Sequence, residues 1–190
     1  MFAQVITILA ALAVVAVVVS AGLWVGLAAP SGRRVLRRWF GSGGRELLIG
    51  AWLVAAIAMA GSLYFSNSGL VPCKFCWYQR IAMYPLVPIL GVAAFRRDVG
   101  VWRYALPLSV VGGLISLYHA ALQLQPALEV TECTVGAPCT LRYFAVFGWI
   151  SIPWMAGAAF VWITTLVSAA AILAPHAPVP GSTEPPSAHP

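Results

Sequence analysis

Four cysteines stand in two pairs, Cys73-Lys74-Phe75-Cys76 and Cys133…Cys139. Thiols three residues apart are a redox or metal signature. Zinc on all four thiolates is one reading, but the six-residue separation of the second pair lies outside the usual spacing of a zinc pair, and no metal is expected. Structural disulfides are another. The favoured chemistry is thiol–disulfide exchange between two dithiols, with electrons leaving to an acceptor dissolved in lipid. A helix is expected to begin near Cys76–Trp77, after Pro72. Its unpaired N–H groups and macrodipole would favour a thiolate on Cys76. Arg80 lies one turn further on. Its cation could stabilise that thiolate or polarise an acceptor oxygen, or it could simply snorkel to the headgroups. The second pair sits in a polar loop, about 125–147, with Glu129, Thr131, Glu132, Thr134 and the turn Gly136-Ala137-Pro138. There it should be exposed and reachable by a partner thiol. His119, among apolar residues near a helix end, is either a satisfied core histidine or a proton donor to an acceptor being reduced.

The elements that carry these residues are membrane helices. The chain is 61% hydrophobic and 8% charged, where soluble domains carry about 25% charge. Five apolar runs are long enough to span a bilayer, at about 2–29, 46–66, 77–95, 104–124 and 149–173. Backbone groups in lipid must pair within a segment, so these runs are helices. The net charge of +6 does not point to nucleic acid, because the arginines cluster beside the apolar runs. Arg33, Arg34, Arg37, Arg38 and Arg45 lie in one loop, and Arg96, Arg97 and Arg103 in another. Both loops should be cytoplasmic. The first run lacks a basic segment before it and is too long for a signal peptide, so it reads as a helix with its N-terminus outside. Both cysteine loops then face an oxidising compartment, and the C-terminus is cytoplasmic. Trp24, Trp39, Trp52, Trp102 and Trp162 read as interfacial anchors. The Pro-rich tail, about 174–190, reads as disordered, with His176 and His189 as bystanders.

Cys73-Lys-Phe-Cys-Trp-Tyr-Gln-Arg80, His119-Ala-Ala-Leu-Gln-Leu-Gln-Pro126, Pro138-Cys139-Thr, Phe147-Gly148 and Ile152-Pro153 together resemble the DsbB/BdbC family of disulfide bond formation proteins, over about 46–173. The resemblance implies a four-helix membrane core that reoxidises a thioredoxin-fold (DsbA-like) thiol oxidase outside the cytoplasm and passes electrons to membrane quinone, ubiquinone or menaquinone. It implies a bacterial plasma-membrane protein supporting disulfide formation in exported proteins. By residue match, Cys73 and Cys76 are the quinone-proximal pair, with Cys76 meeting the ring. Arg80, His119, Gln79 and Trp77 are the candidate quinone contacts. Cys133 and Cys139 exchange with the partner, Cys133 forming the mixed disulfide. The short second loop is as in BdbC-like members.

The expected architecture is therefore all-α: an extra N-terminal membrane helix and basic cytoplasmic loop (1–45), the four-helix core (46–173) and the tail (174–190). A vitamin K epoxide reductase-like enzyme is the nearest alternative, but there the active Cys-x-x-Cys follows the loop cysteines, whereas here it precedes them. A non-catalytic scaffold with structural disulfides is the other.

Overall fold

The computed structural model describes residues 2–40, 44–129, 133 and 136–174. The tail from 175 onward, with His176 and His189, lies outside them, as do Thr131, Glu132 and Thr134. The described chain is helical: α1 (Phe2–Ala28), α2 (Pro30–Phe40), α3 (Arg45–Asn67), α4 (Lys74–Arg96), α5 (Trp102–Leu124) and α6 (Ile152–Leu173), with short 3-10 turns at Val99–Val101 and Pro126–Leu128. The pairs α3–α4, α4–α5, α5–α6 and α6–α3 pack as a closed ring of four. Its apolar centre is built from Leu47, Leu48, Leu86, Leu90, Phe160 and Ile163, all essentially inaccessible. Helix α5 meets α6 closely because Gly112 leaves room for the Phe160 ring, which a Cβ there would strike.

Helix α1 stands outside this ring, packed on α6. Half of the apolar window of α6 is buried, against 11% for α1. Exposed side chains such as Ile8, Val18, Leu53, Val92 and Leu114 form the apolar exterior that a bilayer requires.

Three expectations about elements change. The basic stretch after α1 is not a loop. It is the amphipathic helix α2, which turns back on α1 at Gly32, where a Cβ would collide with the Gly26 carbonyl. Leu36 and Phe40, four residues apart, pack on the core, while the same helix carries Arg33, Arg34, Arg37 and Arg38. Among the described residues, four helices rather than the expected five are long and apolar enough to cross a membrane. The exception is α4, of the same 23-residue length as α3. Lys74, Gln79, Arg80 and Arg96, with Pro85 and Pro88 inside the helix, lower its apolar character. It is nonetheless a full member of the ring. The start of the last helix also moves, from the expected Trp149 to Ile152, because Phe147 and Gly148 take positive φ in a turn and Pro153 lies in the first helical turn.

Candidate functional site

Pro72 and the first turn of α4 set the Cys-x-x-Cys pair. Cys73, not a residue near Cys76, is the N-cap: its extended backbone places Sγ 3.3 Å from the Cys76 N–H, which donates to it. The helix therefore begins earlier than expected, and the thiol best placed for negative charge is Cys73. Cys73 and Cys76 are unbonded, with Sγ atoms 3.0 Å apart. The Cys76 thiol donating to Cys73, opposed by burial and assisted by His119, holds the Cys73 thiol down from 9.0 to about 4. Cys76 moves the other way: its proton is retained by Cys73 and burial adds to this, while Arg80 pulls weakly against it. The reduced pair thus shares one proton, with the thiolate on Cys73.

The second pair folds onto the first. Cys133 and Cys139 are joined as a disulfide, with Cα atoms 5.8 Å apart. Gly136, at φ 79°, lets the loop backbone touch Pro72, where a Cβ would strike the Pro72 carbonyl oxygen. Tyr143 Oη donates to the Val71 carbonyl at 2.8 Å. Gln123 near the end of α5 holds the other side: its Nε2 donates to Leu141 O at 3.0 Å and its Oε1 accepts from Ser151 Oγ at 2.5 Å. All four cysteines consequently belong to one small cluster with Phe75 and Leu122. The expected exposure of the second pair holds only in part, since Cys133 is half-buried and Cys139 is 1% exposed.

His119 lies between the two pairs. Its Nδ1 is 3.1 Å from Gln79 Nε2, and its Nε2 is 3.5 Å from Cys73 Sγ and 3.2 Å from the Cys139 carbonyl oxygen. An amide nitrogen can only donate, so Nδ1 accepts and Nε2 carries the hydrogen. That hydrogen faces a thiolate and a carbonyl, one from each cysteine segment. A cavity of about 20 Å³ beside Cys73, Cys76, His119 and Pro138 has room for about one water molecule.

A much larger cavity, about 340 Å³, lies on the other side of Cys76. Its walls are apolar side chains of α1, α3, α4 and α6, and Cys76, Gln79 and Arg80 lie at one end. Arg80 is fixed there by α3: Nε donates to Ser62 Oγ at 2.9 Å, and Nη2 to Ser62 O at 3.1 Å and Ser66 Oγ at 2.5 Å. Nη1 has no hydrogen-bond partner among the described residues. Trp77, nearly half exposed, lies under the guanidinium at 5.1 Å. Of the four candidate acceptor contacts, Arg80 and Gln79 line this cavity, Trp77 touches it only through Arg80, and His119 sits in the smaller cavity between the cysteine pairs.

Ser62, Ser66 and Ser151 escape a reading of the sequence, and Gln123 enters it only as part of the His119–Pro126 string, with no role assigned. The one available signal was polar residues at the ends of apolar helices, which is also where interfacial residues ordinarily occur. Cys73, Cys76 and His119 offer ligand atoms within 4.8 Å of one another, a geometry that thiol exchange and metal ligation share.

Residues 44–173 match the family model described as "Disulfide bond formation protein DsbB". Among curated proteins, the "Disulfide bond formation protein C" of Bacillus subtilis (strain 168) is 48% identical over 118 residues, covering 61% of this chain and 86% of the relative. A "Probable disulfide formation protein C" of Halalkalibacterium halodurans is also 48% identical, with the same coverage. A "Probable disulfide formation protein" of Oceanobacillus iheyensis is 45% identical over 124 residues, covering 64% of this chain and 86% of the relative. No solved structure matches the chain.

Proposed function

Since the chain belongs to the DsbB family of disulfide bond formation proteins, and is thus a multi-pass membrane oxidoreductase of disulfide formation, we propose that it reoxidises a thioredoxin-fold dithiol oxidase outside the cytoplasm and delivers the electrons to membrane quinone. The observation that carries this reading is the position of Cys76. It lines both the small cavity, whose other wall includes Ala137 and Pro138 of the second cysteine loop, and the large apolar cavity that holds Arg80. One sulfur therefore faces both the incoming and the outgoing electrons.

A partner thiolate attacks Cys133 Sγ, the more accessible sulfur, and Cys139 leaves. The partner's second thiol then attacks the mixed disulfide. The partner is released oxidised, and Cys133 and Cys139 hold its two electrons as thiols. They in turn reduce a Cys73–Cys76 disulfide held beside them by the Gly136–Pro72 contact. A leaving thiol of low pKa departs faster, so the N-cap at Cys73 directs that attack to Cys76. His119 Nε2–H steadies the Cys73 thiolate so formed.

The large cavity fits a quinone: an apolar trough for the tail, ending at a thiol, an amide and a fixed guanidinium. Bound there, quinone supplies a sink for two electrons and two protons. Arg80, held by Ser62 and Ser66, presents Nη1 to a ring oxygen, and Gln79 keeps the His119 tautomer. The Cys73–Cys76 disulfide would be restored as the thiolate–thiol pair gives up two electrons and its one shared proton, the second proton coming from solvent.

Anaerobic mixing of the purified protein with a reduced thioredoxin-fold oxidase and quinone tests this. Quinone reduction should require both the partner and Cys76. Cys139→Ser should accumulate a mixed disulfide on Cys133. Full quinone reduction by Cys76→Ser would overturn the proposal.

A further inference from the structure

Helix α1 lies wholly outside the matched family region, which begins at residue 44. It is nevertheless built into the large cavity. Its C-terminal end is tied to α6, where Trp24 Nε1 donates to Thr165 Oγ1 at 3.1 Å. Its first residue packs on α3, the Phe2 ring lying 6.1 Å from Tyr64 and 6.3 Å from Phe65. Between these two anchors α1 and α3 both line the cavity, with Leu9 reaching across to Gly61. Leu9, Leu12, Ala13 and Ala16 form one wall, with Val54 and Ile57 of α3 among the residues facing across it. Two of the five α1 residues that line the cavity are alanines, which leaves the trough wide. From Val54 to Phe65 the α3 side of the cavity spans eleven residue steps, about 16 Å at about 1.5 Å per residue.

We propose that α1 is a specificity-determining wall of the quinone site, enclosing the apolar tail between itself and α3 while the ring sits at Cys76 and Arg80. The inference rests on the thiol:quinone reading above. A chain leaving a ring seated at Cys76 enters this trough, and without α1 the same length of α3 and α6 would face lipid directly. The wall adds contact along the tail and none at the ring, so it discriminates among quinones by tail length. A phospholipid acyl chain has the same apolar chemistry, but it brings no electron acceptor to the end that carries a redox-active thiol pair.

The test uses the full-length protein purified from membranes, with two readouts. One is quinone retained per protein, by solvent extraction and chromatography. The other is KM for a long-tailed quinone and for a short-tailed analogue with the same ring. Ala13→Trp fills the trough. Val18→Trp places the same bulk on the lipid-facing side of α1, 65% exposed and off the cavity. Ala13→Trp should lower retained quinone and raise KM for the long-tailed quinone by at least tenfold. It should leave KM for the short analogue within about twofold and partner exchange at Cys133 unchanged. Val18→Trp should match wild type. If Ala13→Trp does not fold, Ala16→Phe adds less bulk to the same trough and should lower retention at least threefold. Wild-type retention and KM in the trough variants would overturn the inference while leaving the quinone reading intact. A wild-type protein that reduces no quinone, or that retains phospholipid in its place, would overturn both.

Discussion

Replacing His119 with alanine in a Cys133→Ser/Cys139→Ser background isolates the Cys73/Cys76 pair and measures what the histidine contributes. Cys73 is held at about 4, and His119 Nε2 lies 3.5 Å from its sulfur. A hydrogen bond to a charged group contributes about 1.5–3 kcal/mol. At about 1.36 kcal/mol per pH unit, its loss raises the Cys73 midpoint by about one to two units. The midpoint stays far below 9.0, because the Cys76 thiol, the largest cause of the lowering, and the Cys76 N–H still donate. The same loss weakens the reduced state relative to the disulfide, so the reduction potential falls by about 30–65 mV at roughly 30 mV per 1.4 kcal/mol. Ultraviolet absorbance of the thiolate against pH, in detergent, gives the first quantity. Equilibration with a glutathione redox buffer gives the second. A midpoint and a potential both equal to those of the His119 protein would refute the argument, since the imidazole would then not be donating to Cys73.

Further outcomes follow from the same geometry. The thiol of Cys73 is lowered on folding, from 9.0 to about 4. It therefore stabilises the reduced protein fully above its unfolded value, and that stability is lost as pH falls toward about 4. The Tm of the reduced protein relative to the Cys73–Cys76 disulfide form should drop between pH 8 and pH 5, and an unchanged difference would count against a thiolate at the N-cap. Gly136→Ala places a Cβ against Pro72 O at a positive φ. It should cost about 1–3 kcal/mol of strain and slow exchange between the cysteine pairs, read as accumulation of reduced Cys133/Cys139 under turnover. Arg80→Lys cannot reproduce the fork on Ser62 and Ser66. It should lower quinone retention about tenfold or more, given about 1.5–3 kcal/mol per charge-assisted bond, with partner exchange unaffected.

Much of this protein is dictated locally. An apolar run long enough to span a bilayer has no stable alternative to a helix, because each backbone group must be paired within the segment. That is why the helix boundaries read from composition fall within about three residues of α1, α3, α4, α5 and α6. The Cys-x-x-Cys and the arginine one turn beyond it are local as well, and the sequence identifies the family from them. The helical state of 30–40 was obscured by Gly32 and by the density of arginines. The N-cap was displaced by three residues because both cysteines suit a helix start, and only the backbone angle at Cys73 separates them.

The tertiary structure decided what lies far apart in sequence. His119 gave no sign that it would bridge Cys73 and the Cys139 carbonyl, nor that Gln79 would fix its tautomer. Those contacts depend on how α4 and α5 are rotated in the ring, which many apolar residues set together and no short motif encodes. Ser62 and Ser66 became partners of Arg80 for the same reason. The part played by α1 was the least legible. A helix that is apolar on every side carries no periodic signal to show which face meets protein and which meets lipid. Its place along the large cavity follows from two anchors, Trp24–Thr165 and Phe2–Phe65, that only folding brings into contact.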